Sequence, residues 1–283
     1  MRLALCNEVL RHLSFEEQCR TAAALGYAGL ELAPFTLADD PATLDERAAA
    51  RLRTTAHDRG LAISSLHWLL LKPEGLSLAT LDAALHARTV DFLKRMIDFA
   101  AACGAGVLVH GSPKQRSPLP GQSVEDAFAR VEAGWRELAP HAQAAGVVYC
   151  IEALGAFETP VLNTLAQAVA VVERIGSPAL RTMLDISAAA LAERDDAATL
   201  LRRHLPGGHI AHVQANDRNR RGPGQGDTPI GPALRALREL GYRGWIAVEP
   251  FEYHPDPMCC AAFSAGYLRG LLDGLERPEG VSP

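Results

Sequence analysis

The sequence is short of several things, and each shortage removes a class of function. Its six cysteines, at 6, 19, 103, 150, 259 and 260, form no CxxC pair and no zinc-ligand spacing. They are too few for a disulfide framework at 283 residues, so a reducing, cytoplasmic setting is the expectation. Aromatic residues make up only 6% of the chain, and the net charge of −5 offers nothing attractive to DNA, RNA or an anionic membrane. The opening Met1-Arg2-Leu3-Ala4-Leu5-Cys6 has no signal-peptide apolar core, and no apolar run is long enough to span a bilayer. No GxGxxG turn follows the first strand-like segment, which weakens an open dinucleotide-binding sheet. There is no low-complexity tract and no solenoid-type repeat.

What the chain does have is 48% apolar residues with no break in composition, enough for one substantial core. Short apolar runs alternate with longer helical patterns. The runs are Leu3–Cys6, Gly29–Ala33, Ala62–Trp68, Val107–His110, Val147–Glu152, Arg181–Asp185, His209–Ala215 and Trp245–Glu249. Helices are predicted over about 15–25, 45–59, 81–103, 123–145, 164–176, 187–203, 233–240 and a last segment to about Leu275, several stopped by glycine. The runs are too apolar to alternate, as expected for parallel strands covered on both faces. Eight strand–helix units predict an α/β chain folded as a single (β/α)8 TIM barrel over residues 1–275, with a frayed tail at 276–283.

The last polar residues of successive runs are Glu31, His67, His110, Glu152, Asp185, Gln214 and Glu249. They are 36, 43, 42, 33, 29 and 35 residues apart, about one strand–helix unit each. In a barrel that spacing gathers them at the C-terminal mouth, where active sites of this fold lie. Each has a plain alternative: His67 and His110 as hydrogen-bonded rim residues, Glu31 as a loop cap, Asp185 as a charge at a helix N-terminus. Three carboxylates and an amide from strands five to eight are harder to explain that way, because bare carboxylates in one mouth repel. A divalent cation resolves the repulsion, and an all-oxygen donor set without cysteine suits Mg2+ or Mn2+, or Co2+. His212 shares a strand face with Gln214, one layer deeper.

Several segments carry a family likeness: Ile151-Glu152 with Phe157-Glu158-Thr159, Met183-Leu184-Asp185, and His212-Val213-Gln214 followed by Arg220 and Pro223-Gly224-Gln225-Gly226. Ala247-Val248-Glu249-Pro250-Phe251 completes the set. Together they resemble the xylose isomerase-like TIM-barrel superfamily, above all its D-tagatose 3-epimerase and hydroxypyruvate isomerase branches. The resemblance implies one divalent metal, Mn2+ first, with Mg2+ or Co2+ as alternatives, held by Glu152, Asp185, Gln214 and Glu249. A gapless match of the motifs gives Gln214, not His212, the ligand position; glutamine there is similar to hydroxypyruvate isomerase. The resemblance also implies that Glu152 and Glu249 transfer protons, and that Glu158 and Arg220 contact substrate. One position departs from the epimerases: their substrate-binding histidine, three residues after the strand-six aspartate, is Ala188 here.

The expected activity is therefore metal-dependent isomerisation or epimerisation of a small sugar or keto-sugar, through an enediolate and two glutamates. The alternatives are a dehydratase or lyase on a polyol or keto-sugar at the same metal site, or hydroxypyruvate isomerase itself. An endonuclease IV-like site is disfavoured for lack of further histidines and a basic face, and a non-catalytic barrel has no need of both glutamates. Two more groups are candidate substrate contacts. His67 and Trp68 offer a stacking face. His110, Ser112 and Lys114-Gln115-Arg116 after strand four would read an anionic substituent, or else form an ordinary surface loop. The expected partner is a sugar substrate, with no nucleic acid and no membrane; homo-oligomerisation is left open.

Overall fold

The computed structural model describes residues 1–276, so the tail predicted at 276–283 lies, after its first residue, outside the described residues. Eight parallel strands close into a barrel in sequence order: β1 (Arg2–Cys6), β2 (Gly29–Leu32), β3 (Ala62–Leu66), β4 (Val107–His110), β5 (Val148–Ile151), β6 (Leu180–Asp185), β7 (Ile210–Ala215) and β8 (Trp245–Val248). Closure comes from β1 pairing β8 in register, Arg2 with Trp245 through Leu5 with Val248. The single (β/α)8 barrel read from the sequence is the observed architecture.

Around it run α1 (Phe15–Ala24), α2 (Glu46–His57), α3 (Ala83–Cys103), a one-turn α4 (Pro113–Arg116), α5 (Val124–Ala145), α6 (Leu165–Ile175), α7 (Ile186–Ala192), α8 (Ala197–His204), α9 (Ile230–Glu239) and α10 (Pro257–Glu276). Local chemistry sets the ends. Ser14 with Glu17 and Thr164 with Gln167 form complete capping boxes, satisfying helix N–H groups that have no partner in the helix. α3 and α5 stop at Gly104 and Gly146, both in the left-handed conformation.

The helix predicted over 187–203 is two helices. α7 is capped by Asp185, whose side chain accepts from the Ser187 and Ala188 amides, rather than by Ser187. The chain then breaks, and Asp196 caps α8 by accepting from the Thr199 amide. An aspartate that satisfies a free N–H stabilises a new helix start by about 1 kcal/mol, which outweighs continuing a short alanine-rich turn.

The strands bury both faces. Outward-facing Leu5, Leu30, Leu66, Leu108, Ile151, Leu184, Val213 and Val248 join the layer under the helices. Inward-facing Val109, Cys150 and Met183 pack together inside the barrel, as do Ala4, Cys6, Trp245 and Ala247. The interior is thus filled from below, and only its C-terminal end is left for polar side chains.

Candidate active site

Three carboxylates stand at that end. Glu152 follows the last residue of β5, Asp185 ends β6 and Glu249 follows the last residue of β8. All three are buried, and all line one cavity together with His67, Trp68, Gly111, Glu158 and Arg220. A buried carboxylate is costly in its charged form, and neighbours of like sign add to the cost. Glu152 is accordingly pushed well above the usual carboxylate range, by burial first and then by Glu249 and Asp185. Burial raises Asp185 to about 6, against the pull of its two amide hydrogen bonds. Burial likewise raises Glu249 to about 8, although its hydrogen bond to His67 works the other way.

Each carboxylate is held in place. Asp185 Oδ1 accepts from the Ser187 amide at 2.7 Å and the Ala188 amide at 3.1 Å. It is therefore a helix cap as well as a cavity group. Glu249 Oε1 accepts from Trp68 Nε1 at 3.2 Å and pairs with His67 Nδ1 at 2.8 Å. The other nitrogen of His67 lies 2.8 Å from Glu8 Oε2. Burial disfavours charge on His67, but Glu8 and Glu31 overcome that and hold it as an imidazolium well above its ordinary range. Glu152 fits because residue 111 is glycine: a Cβ there would stand 2.2 Å from Glu152 Oε2.

Beneath the carboxylates lies a second buried anion. Glu31 is engaged by Gln214 Nε2 at 2.5 Å, His212 Nε2 at 2.6 Å, Cys6 Sγ at 3.3 Å and the Ser65 hydroxyl. Burial alone would raise it, but His212 and His67 hold it far below the carboxylate range. Gln214 spends its amide nitrogen on Glu31, while its Oε1 is buried with no hydrogen-bond partner. Polar atoms are seldom left so.

Three buried carboxylates whose charged forms are suppressed by burial and by one another have the chemistry that suits a divalent cation, while Gln214, whose Oε1 lacks a donor, does not line their cavity. Among the described residues, the groups whose candidate ligand atoms all lie within 4.8 Å of one another are Cys6–Glu31–His67 and Glu8–His67–Glu249; Glu152, Asp185 and Glu249 do not form such a group. Both centre on His67, whose two nitrogens face carboxylates, so we read His67 as an ion-pair partner of Glu249 rather than a ligand.

Of the other residues singled out in the sequence, Glu158 and Arg220 line the cavity. Arg220 sits in the left-handed region at φ 68°. Its carbonyl accepts from the Phe251 and Glu252 amides at 2.8 Å, and its guanidinium lies 4.6 Å from the Phe251 ring centre. Two positions are corrected. His110 points outward: its Nδ1 accepts from Trp135 Nε1 at 3.1 Å and from the Tyr149 hydroxyl at 2.7 Å, under α5. Along β4 it is Val109 and Gly111 that face the cavity. Lys114 is exposed on α4 and does not line the cavity, whereas Arg116 is fully buried and donates to the Glu152 carbonyl at 2.6 Å.

Two buried residues were missed. Glu8 lies two residues beyond the end of β1, on the inward face of Cys6. Asn216 donates to the Glu249 carbonyl at 2.8 Å. The spacing of the strand ends carried the signal for Glu8, had the count begun at β1.

A model of the family described as xylose isomerase-like TIM barrel matches residues 19–270. The chain is 30% identical over 237 residues to an L-ribulose 3-epimerase of Mesorhizobium japonicum, covering 82% of this chain and 75% of that protein. It is 30% identical over 205 residues to a D-psicose 3-epimerase of Agrobacterium fabrum, covering 71% and 68%. It is also 26% identical over 182 residues to a probable ketose 3-epimerase of Synechocystis, of which it spans 62%. A solved D-psicose 3-epimerase, determined in the presence of D-fructose, superposes with a TM-score of 0.80 at 24% identity over 96% of this chain and 99% of that one, a likeness of fold.

Proposed function

Because the chain belongs to the xylose isomerase-like TIM-barrel family, we propose that it is a metal-dependent epimerase of keto-sugars, inverting a carbon beside the carbonyl by moving a proton between Glu152 and Glu249. The relatives named above are ketose 3-epimerases, which supports the enzyme class. The observation that carries the reading is the pair of buried glutamates at the ends of β5 and β8, facing one cavity with Asp185 between them in strand order.

Glu152, Asp185, Gln214 Oε1 and Glu249 would hold the divalent ion, with Mn2+ the first choice. When bound, the ion supplies Lewis-acid stabilisation of the negative charge that develops on the substrate's oxygens. The remaining steps belong to side chains. One glutamate takes the proton from the carbon next to the carbonyl, and the other returns a proton from the opposite side, which inverts the centre. In the metal-free chain burial raises the proton affinity of both glutamates, and a bound cation would lower it again. His67 and Trp68 fix the Glu249 carboxylate from one side, and Arg116 fixes the backbone of Glu152. Arg220, whose guanidinium lies over the Phe251 ring, and Glu158, both lining the cavity, would hydrogen-bond substrate hydroxyls.

The test is proton exchange. Manganese-loaded protein in D2O, offered D-psicose, D-fructose and L-ribulose, is expected to place solvent deuterium on the carbon beside the carbonyl and to interconvert the two epimers. A preparation that binds manganese and exchanges no carbon-bound hydrogen in any ketose would falsify the proposal.

A further inference from the structure

Glu249 and Glu152 are held in different ways. Oε1 of Glu249 faces two donors, His67 Nδ1 at 2.8 Å and Trp68 Nε1 at 3.2 Å, while its Oε2 takes no part in either contact. A carboxylate oxygen offers about two lone-pair sites, so the protein alone fills Oε1. Glu152 is anchored instead through its carbonyl, which accepts from Arg116 at 2.6 Å.

His67 is backed in turn by Glu8. Its Nε2 lies 2.8 Å from Glu8 Oε2, and neither atom has any other hydrogen-bond partner. Glu8 is buried and does not line the cavity. It stands on a buried 3-10 turn, Asn7–Leu10, directly after β1. Asn7 ties that turn to its surroundings. Its Nδ2 donates to Thr36 Oγ1 at 2.7 Å and Gln18 Oε1 at 3.2 Å, and its Oδ1 accepts from the Ala33 amide at 2.8 Å. Moving the turn would leave buried polar atoms unpaired, which is costly. A fixed turn therefore supports Glu8, Glu8 supports the His67 ring, and the ring supports one oxygen of Glu249.

We propose that Glu8 is a positioning residue: through His67 it commits Oε1 of Glu249 to the protein and leaves Oε2 as the oxygen free for the ion and the proton. This rests on the epimerase reading above. Because the brace reaches Glu249 and not Glu152, its loss should disturb proton transfer on one face of the sugar and spare the other.

The experiment reads deuterium uptake beside the carbonyl of D-psicose and of D-fructose separately, on manganese-loaded protein in D2O, by NMR of the recovered sugars. Glu249→Gln should silence exchange in one of the two epimers and Glu152→Gln in the other. His67→Leu should slow exchange by about 10²-fold in the epimer that Glu249→Gln silences, the cost of a misplacement near 1 Å, and leave the other within about twofold. Glu8→Leu should act on the same epimer by about tenfold. Glu8→Gln, which keeps an acceptor, should show the same one-sided loss in weaker form, and His67→Gln, which keeps a donor, should recover part of the His67→Leu loss. An equal fall in both epimers would make the pair merely structural and overturn the proposal while the epimerase reading stands; unchanged exchange in both would overturn it too. If the wild-type protein exchanges neither sugar, the epimerase reading is wrong, and the indole N–H resonance of Trp68 in magnesium-loaded, 15N-labelled protein decides the brace. That resonance should move upfield in Glu8→Leu as Oε1 drifts from Trp68, and an unchanged position overturns the brace.

Discussion

Gly111 and Glu152 show how closely single residues are matched at the site. The backbone at Gly111 is one that any residue adopts, so glycine is there for room and not for conformation. An added methyl would strike the Glu152 carboxylate and stand 4.0 Å from Leu154 Cδ1. Gly111→Ala is therefore predicted to keep the fold, as seen by circular dichroism, and to lower kcat/KM by about 10²-fold, the cost of a misplacement near 1 Å. Wild-type activity in that variant would mean that the Glu152 position is not critical. Glu152→Gln and Glu249→Gln keep an oxygen donor but remove a base, so each should lower kcat by about 10²–10⁴-fold. Bound manganese, counted per chain, separates lost chemistry from lost metal, and at least one of the two should retain it. Normal turnover in both, with metal bound, would remove the catalytic assignment. Gln214→His should also keep the metal, since imidazole is a good ligand for Mn2+ and Co2+.

At the scale of elements, β4 shows what a sequence conceals. Its apolar run, its length and its polar last residue were all legible, but which face His110 takes was not. Reading the last polar residue of each strand as a mouth residue succeeds where the residue just before it is an apolar one packed under the helices, as Ile151 is before Glu152, Leu184 before Asp185 and Val248 before Glu249. It fails at β4 because α5 contributes Trp135 and β5 contributes Tyr149, two long-range donors that make the outer face polar. The split between α7 and α8 was hidden for a related reason: an alanine-rich run has high helix propensity throughout, and only the Asp196 side chain on the Thr199 amide decides where a new helix begins. The placement of His110 has a consequence that can be measured. His110→Phe leaves both Trp135 Nε1 and the Tyr149 hydroxyl buried without an acceptor, at about 1–3 kcal/mol for each group. The variant should melt several degrees lower yet turn over normally once folded, and His110→Gln, which keeps an acceptor, should melt between the two. A loss of kcat in folded His110→Phe would return His110 to the site.

At the scale of the whole molecule, the barrel was readable because its eight units repeat one chemical pattern, and parallel strands covered on both faces leave little room for another architecture. The electrostatic consequence of that architecture was not readable, because it depends on how deeply each strand end is sunk and on which charges cross the mouth. Folding brings Glu152, Asp185 and Glu249 into a buried site that raises all three above their unfolded values of 4.5, 3.8 and 4.5, with Asp185 at about 6 and Glu249 at about 8. Between those limits the folded, metal-free chain binds protons that the unfolded chain has released. By linkage its stability is then greatest near the unfolded carboxylate range and falls as pH rises through about 6 and about 8. His67, raised by its carboxylate neighbours, works in the same sense, whereas Glu31, held low, contributes stability that is lost only on strong acidification. A cation reverses the trend, because binding requires the carboxylates without their protons and so grows stronger with pH. Melting temperatures measured from about pH 5 to about pH 8.5 should therefore fall for protein treated with a chelator. The gap between manganese-loaded and chelator-treated protein should widen over the same interval. Glu249→Gln removes the group that titrates at about 8 and should flatten the upper part of the metal-free curve. A gap that stays constant or narrows as pH rises would show that manganese is not held by the titrating carboxylates of the mouth.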